Sequence, residues 1–242
     1  SATLTLANVQ NDNNGTYRVI ASNTFGGTTS NSATLTVRLP DNLAEFTNGL
    51  VAYYPFNGNA NDESGNGHNG TVQGPTLTTD RNGQANKSYS FDGNDDYIYV
   101  PYSSDLNPLS FSYSLWVKID STTTSAYEGI ISSRDESPSR GYFLQKNGTD
   151  ENWNSVYGDS AYADASGWGG LNGSVIQIGH WKHFVFTLDN NTSTLYENGF
   201  LTEKKTGVTF NPNTSRDLIL GKTLSNSFSH GKIDDVRIYN RA

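Results

Sequence analysis

Residues 111–119 read Phe111-Ser112-Tyr113-Ser114-Leu115-Trp116-Val117-Lys118-Ile119, and this run decides the fold. Apolar and polar side chains alternate along it, the period of a strand with one face on a core. Working outward, the same pattern recurs. Trp181-Lys182-His183-Phe184-Val185-Phe186-Thr187-Leu188 alternates likewise, and 194–201 is a strand running into a turn. On the other side, 50–56 is apolar on both faces, and 88–91 and 97–100 flank the turn Asp92-Gly93-Asn94-Asp95-Asp96. Short strands fall at 129–132, 142–145 and 218–221, and 232–239 closes the set. No stretch of ten or more residues carries helical spacing. Many short strands joined by Gly and Asn turns predict an all-β fold of two packed antiparallel sheets.

Composition narrows the function. The 242 residues include 24 acidic and 16 basic side chains, a net charge of -8. An acidic chain has no cationic surplus to release counterions from a phosphate backbone, so nucleic acid is excluded as a partner. No apolar run approaches the roughly 20 residues of a membrane span, so no membrane insertion is expected. Cysteine is absent, which removes disulfides, thiolate zinc sites and thiol catalysis. A secreted chain without disulfides relies on core size or on a bound ion. Its abundant oxygen ligands make calcium the ion to expect.

The first 38 residues read as strands: Leu4 and Leu6, then Tyr17, Val19 and Ala21, then Ala33, Leu35 and Val37 alternate with polar neighbours. The run Asn13-x-Gly15-x-Tyr17-x-Val19 resembles the tyrosine corner of an immunoglobulin-like domain, with Asn13 for the Asp and Val19 for the Cys. The resemblance covers about three of the seven strands such a sandwich needs, so residues 1–38 are expected to be its last strands. A free β-hairpin extension is the alternative. Leu39-Pro40-Asp41-Asn42 suits a seam, which makes 39–47 a linker and 48–242 a second domain. Neither end looks like a natural terminus, so the chain is read as part of a larger multidomain protein.

Four pieces of the second domain carry a family resemblance. They are Leu50-Val51-Ala52-Tyr53-Tyr54-Pro55-Phe56 with the loop Asp62-Glu63-Ser64-Gly65-Asn66-Gly67-His68-Asn69-Gly70; Tyr89-Ser90-Phe91-Asp92-Gly93 with Asp96-Tyr97-Ile98; the two Trp strands; and Ile233-Asp234-Asp235-Val236-Arg237-Ile238-Tyr239-Asn240-Arg241-Ala242. In that order they resemble the laminin G-like (concanavalin A-like lectin/glucanase) jelly roll in its bacterial secreted form. The resemblance implies a two-sheet sandwich whose first and last strands lie side by side. It also implies calcium near the Asp62 loop, and core positions for Trp116 and Trp181.

Candidate site residues follow. Asp62, Asn66 and Asp234 are the expected calcium ligands: the loop is rich in oxygens, and Asp234 shares a strand face with Val236 and Ile238, where a carboxylate needs a partner. The alternative is that Asp62 and Asn66 shape an Asx turn and Asp234 accepts backbone donors. The acidic turn 92–96 is read as a plain hairpin turn. The polar, glycine-rich segment 147–170 holds Trp153, Tyr157, Tyr162 and Trp168, read as exposed rings on which a pyranose could stack while amides and carboxylates take its hydroxyls. The alternative is that these rings pin a long loop or finish the second sheet. Arg134, in the preceding loop, could line the same rim; the alternative is an ordinary surface charge. Catalysis finds little support. Glucanases of this fold carry Glu-x-Asp-x-x-Glu on one strand, and that motif is absent. Asp234 and Asp235 are adjacent, so they are expected on opposite faces.

These residues predict a non-catalytic carbohydrate-binding, lectin-like module of a large secreted or cell-surface bacterial protein, binding polysaccharide through exposed aromatics beside a structural calcium. The alternatives are an adhesin or spacer that binds protein or nothing, and a divergent glycoside hydrolase.

Overall fold

Alternation becomes sheet wherever each apolar set finds a facing partner. The computed structural model describes residues 15–35, 46–120, 127–136, 138–147, 152–158, 168–189, 191–223 and 227–242. The chain divides into two units, Ser1–Asn48 and Gly49–Ala242. In the first, β1 (Gly15–Tyr17) pairs with β4 (Ala33–Leu35), and β2 (Ile20–Asn23) pairs with β3 (Gly26–Thr29), all antiparallel. The Asn23 side chain closes the β2–β3 turn by accepting from the Phe25 N–H at 2.8 Å. Val19, Ile20 and Phe25 are exposed. The strand expected around Leu4 and Leu6, and the linker at Leu39–Asn42, lie outside the described residues.

The second unit holds β5 (Leu50–Tyr54), β6 (Thr71–Gln73), β7 (Thr76–Thr78), β8 (Ser88–Asp92), β9 (Tyr97–Val100), β10 (Phe111–Ile119), β11 (Tyr127–Glu136) and β12 (Ser139–Asn147). It continues with β13 (Asn152–Gly158), β14 (Trp168–Val175), β15 (Lys182–Asp189), β16 (Thr192–Glu197), β17 (Phe200–Thr206), β18 (Leu218–Leu220) and β19 (His230–Tyr239). One sheet runs β17-β16-β15-β10-β19-β8-β7, with β5 also on β19; the other runs β14-β13-β12-β11-β18-β9-β6. All pairings are antiparallel. Strand β19 pairs with β8 through its first residues and with β5 through its last, which sets the opening and closing strands side by side.

The two sheets enclose a core of rings. Phe111 lies 4.6 Å from Tyr142 and 5.6 Å from Phe186, centroid to centroid, and Tyr113 stacks on Phe186 at 5.2 Å. A buried phenol must find a partner. The Tyr113 hydroxyl meets Ser155 Oγ at 2.7 Å, and the Tyr142 hydroxyl donates to the Leu106 carbonyl at 3.0 Å. One ion pair is enclosed as well: Lys146 Nζ donates to Glu128 Oε1 at 2.6 Å, and the other Glu128 oxygen accepts the His230 N–H at 3.0 Å. With both members in place the pair is tolerated; removing one would strand a buried charge.

The segment read as an exposed loop is different in the structure. Residues 152–158 and 168–175 are β13 and β14, which complete one edge of the second sheet.

Candidate functional site

Strand parity places Trp116 and Trp153 opposite to expectation, and Trp181, also expected in the core, is only half-buried. In β10, Leu115 and Val117 are fully buried, so Trp116 between them faces outward and is only half-buried. In β13, Trp153 and Tyr157 point inward and are 2% exposed. Trp153 packs on Phe184 at 4.8 Å; Tyr157 lies 6.2 Å from Phe186, and its hydroxyl accepts from Ser193 Oγ at 3.3 Å. Neither ring has a face for a sugar. Tyr162 lies outside the described residues. Trp168 and Arg134 do come together on the outer face of the second sheet. The Arg134 guanidinium lies over Phe143 at 4.1 Å and over Trp168 at 5.1 Å, and Phe143 meets Trp168 edge to face at 5.3 Å. Burial brings Arg134 down to about 10, so it is still a cation at neutral pH.

The outer face of the first sheet holds a larger constellation, which sequence reasoning missed. Register sets Trp116 of β10 opposite His183 of β15 on one side and Asp234 of β19 on the other. Trp116 and His183 stack with centroids 4.9 Å apart, and His183 Nε2 meets Ser114 Oγ at 2.8 Å. Arg81, from the loop before β8, lies over the Trp116 ring at 4.9 Å. Its two terminal nitrogens meet different acids: Nη1 pairs with Asp234 at 2.5 Å and Nη2 with Asp235 at 3.0 Å. Arg237 pairs with Asp235 at 2.9 Å and lies over Tyr53 of β5 at 4.4 Å.

Adjacent strand residues should point to opposite faces, yet Asp234 and Asp235 converge on one guanidinium. A bulge explains this. Ser114 opposes Arg237 and Trp116 opposes Asp234, so two residues, Asp235 and Val236, face Leu115 alone. Asp235 takes φ 54°, a left-handed conformation that non-glycine residues rarely hold, and its carboxylate is re-aimed beside that of Asp234. Burial raises the Asp234 carboxyl to about 6 against the pull of Arg81. His183 is pushed down, first by burial and then by the nearby arginines, against Asp235, so it is neutral at pH 7. Arg81 fills the gap between the two acids, where a reacting glycosidic oxygen would need to sit.

Of the expected calcium ligands, Asp62 and Asn66 meet at the Ser64 hydroxyl, whereas Asp234 lies on the outer face with Arg81. Asp62 already accepts four hydrogen bonds: from the N–H groups of Tyr53, Ser64 and His68 and from the Ser64 hydroxyl, at 2.8–3.0 Å. Burial alone would raise Asp62; these donors outweigh it and hold the carboxyl below its usual range. Asp234 is committed to Arg81. Both carboxylates thus already take donors from the protein itself. Asn66 is a different case. Its Nδ2 meets the carbonyls of Leu50 at 3.0 Å and Val51 at 2.9 Å and the Ser64 Oγ at 3.2 Å. In the acidic turn, Asp92, Asp95 and Asp96 do converge, but Asn94 and the Asp92 N–H take up oxygens of Asp92 and Asp96 as in an ordinary hairpin turn.

Comparisons agree with this architecture. Domain 4 of AbnA, an extracellular arabinanase from Geobacillus stearothermophilus solved with arabinotriose, is 24% identical over 78% of this chain and 91% of its own, at TM-score 0.58. The binding domain of Paraclostridial Mosquitocidal Protein 1 is 19% identical over 80% of this chain and 49% of its own, at TM-score 0.64. The botulinum neurotoxin serotype D binding domain is 17% identical over 81% of this chain and 49% of its own, at TM-score 0.61. The chain thus spans about half the length of the toxin domains it matches. No curated protein matches it. The profile of the concanavalin A-like lectin/glucanases superfamily matches residues 92–242, more than half of the chain, and the chain belongs to that family.

Proposed function

We propose that this chain is a non-catalytic carbohydrate-binding module of a larger extracellular protein, and that its glycan lies on the outer face of the first sheet. The observation that carries the reading is the pair of neighbouring acids turned to one face by the bulge, beside Arg81, Arg237, Trp116 and Tyr53. A pyranose has apolar C–H faces and polar edges. The half-buried rings offer a partner to the faces, and the part-exposed guanidinium groups of Arg81 and Arg237, held by the two acids beneath, offer one to the edges. The arabinotriose in the arabinanase domain supports a sugar, and that domain belongs to a larger enzyme. Arg81 between the two acids argues against hydrolysis.

An array of polysaccharides tests the proposal. Trp116→Ala should abolish retention and leave the fold intact, whereas Trp168→Ala should leave retention unchanged. The opposite result would move the glycan to the Arg134–Trp168 face.

Calcium belongs to the same proposal, at the Asn66 end of the expected loop and without Asp234. Three oxygens, of Leu50, Val51 and Ser64, converge on the Asn66 amide. Turned over, Asn66 would add its own oxygen, and such a set of carbonyl and hydroxyl oxygens suits a hard cation. The point borders a cleft of about 280 Å³ that Asp105 and Asn240 also line. A bound ion there would tie the loop to β5 and would take no part in chemistry.

Protein binding is the second reading. It draws on Phe200 and Leu201, exposed where β17 begins, and on the toxin binding domains among the structural neighbours. A glycan array without signal, with retention on a protein array lost in Phe200→Ser, would favour it.

A further inference from the structure

Arg81 occupies the position on Trp116 that a stacking sugar would need. Its guanidinium lies 4.9 Å from the ring centroid. What holds it there is the pair Asp234 and Asp235, one on each terminal nitrogen. The side chain of Asp234 is 2% exposed, so it has no water to turn to if it lets go; that of Arg81 is 25% exposed and can swing outward. Other charged or titratable groups surround Asp234. Asp80 stands beside Arg81 in the same loop, Asp235 and Arg237 follow on β19, Lys232 precedes on the same face of β19 opposite Lys118 of β10, His183 faces from β15 and Tyr53 from β5. Asp80 turns its own carboxylate to the N–H groups of Asn82 and Gln84.

We infer that Arg81 is a built-in cover over the glycan platform and that Asp234 is the positioning residue that latches it. The inference rests on the glycan reading above and adds its regulation. With Asp234 ionised, a sugar must first push Arg81 off Trp116, and that cost weakens binding. With Asp234 protonated, Arg81 keeps only its pair with Asp235, an acid that Arg237 also holds, so Arg81 swings outward and the ring opens. The raised Asp234 carboxyl, at about 6, puts this change within mildly acidic conditions. His183 acts in the same sense, since protonating it would place a second cation beside Arg81; burial keeps it below its ordinary value.

The ring itself gives the readout, so the test does not depend on knowing the sugar. Acrylamide quenching of Trp116, taken as the difference between wild type and Trp116→Phe, should rise as pH falls from about 7.5 to about 5. Arg81→Ala and Asp234→Asn should show the high, pH-independent quenching already at neutral pH. If Asp234→Asn fails to fold, Arg81→Ala decides; if Arg81→Ala fails because it strands the buried Asp234 carboxylate, the double variant Arg81→Ala/Asp234→Asn decides. Retention of soluble arabinan, used as the glycan probe, should strengthen about tenfold over the same range in wild type and be flat in Arg81→Ala, roughly the value of one lost ion-pair contact. Wild-type quenching that ignores pH and matches Arg81→Ala would overturn the cover while leaving the glycan site in place. Quenching that behaves as expected, with no polysaccharide retained by any variant at either pH, would keep the cover and remove the glycan.

Discussion

Asp234 is a carboxyl whose surroundings oppose its charge more than its partner supports it. Its folded value of about 6 stands above the ordinary 3.8, so between those pH values the folded chain holds a proton that the unfolded chain has lost. The sign follows: this residue's contribution to stability is fully present below about pH 4 and is lost as pH rises through 6. The loss is on the order of 3 kcal/mol. Wild-type stability measured against Asp234→Asn should therefore decline from pH 4 to pH 7 in urea melts; a difference independent of pH would mean that Asp234 titrates normally. Trp153 makes the second residue-scale case. Enclosed against Phe184, it should cost about 3–5 kcal/mol when cut to Ala. Trp168→Ala, on the outer face, should cost less than about 1 kcal/mol. Equal losses for the two would contradict the burial assigned here.

At the scale of elements, the bulge in β19 couples backbone strain to the site. Removing it would return Asp235 to the core face and separate the two acids. A β-branched residue is poorly suited to φ 54°, whereas Asn tolerates it. Asp235→Val should destabilise by about 2 kcal/mol or more, from strain and from the lost partners of Arg81 and Arg237. Asp235→Asn should stay within about 1 kcal/mol in thermal melts, and equal melting temperatures for the two variants would mean that the bulge relaxes. The Asp62 loop shows another coupling between elements. Its carboxylate gathers donors from β5 and from its own turn, so one side chain holds the opening strand and the loop after it in register. A loop of Gly, Asn and Ser gains its shape from such bonds, having little apolar area to bury.

The whole second unit is one sandwich, and its buried hydrophobic cluster runs from Val51 to Ile238. The strands that close it, β5 and β19, come from opposite ends of the unit, so its stability depends on pairing ends that are far apart in sequence. An ion bound at the Leu50–Val51–Ser64–Asn66 oxygens would fasten that seam and stabilise the entire sandwich by mass action. The melting temperature should rise in calcium over chelator, and the rise should vanish in Asn66→Ala. An unchanged melting temperature would leave hydrogen bonds alone to close the loop.

How much of this was legible beforehand depends on which rule each residue obeys. Alternation along 111–119 and 181–188 was enough to predict two antiparallel sheets, because period two commits each strand to one buried face whatever its partner. The motifs of the opening, hairpin and closing strands were enough for the family. Parity along β10 also held the position of Trp116, since Leu115 and Val117 bracket it; the expectation of a core ring followed the resemblance instead of the alternation. Trp153 and Tyr157 were hidden by composition: Asn, Gly and Ser around them read as loop, and only the facing sheet, with Phe184 and Phe186, supplied the apolar surface that turns them inward. Asp234 and Asp235 were hidden more deeply. A bulge has no sequence signal here, because it arises from the register of β19 against β10. The meeting of two neighbouring acids on Arg81, from a loop about 150 residues earlier in the chain, is decided by tertiary contact alone.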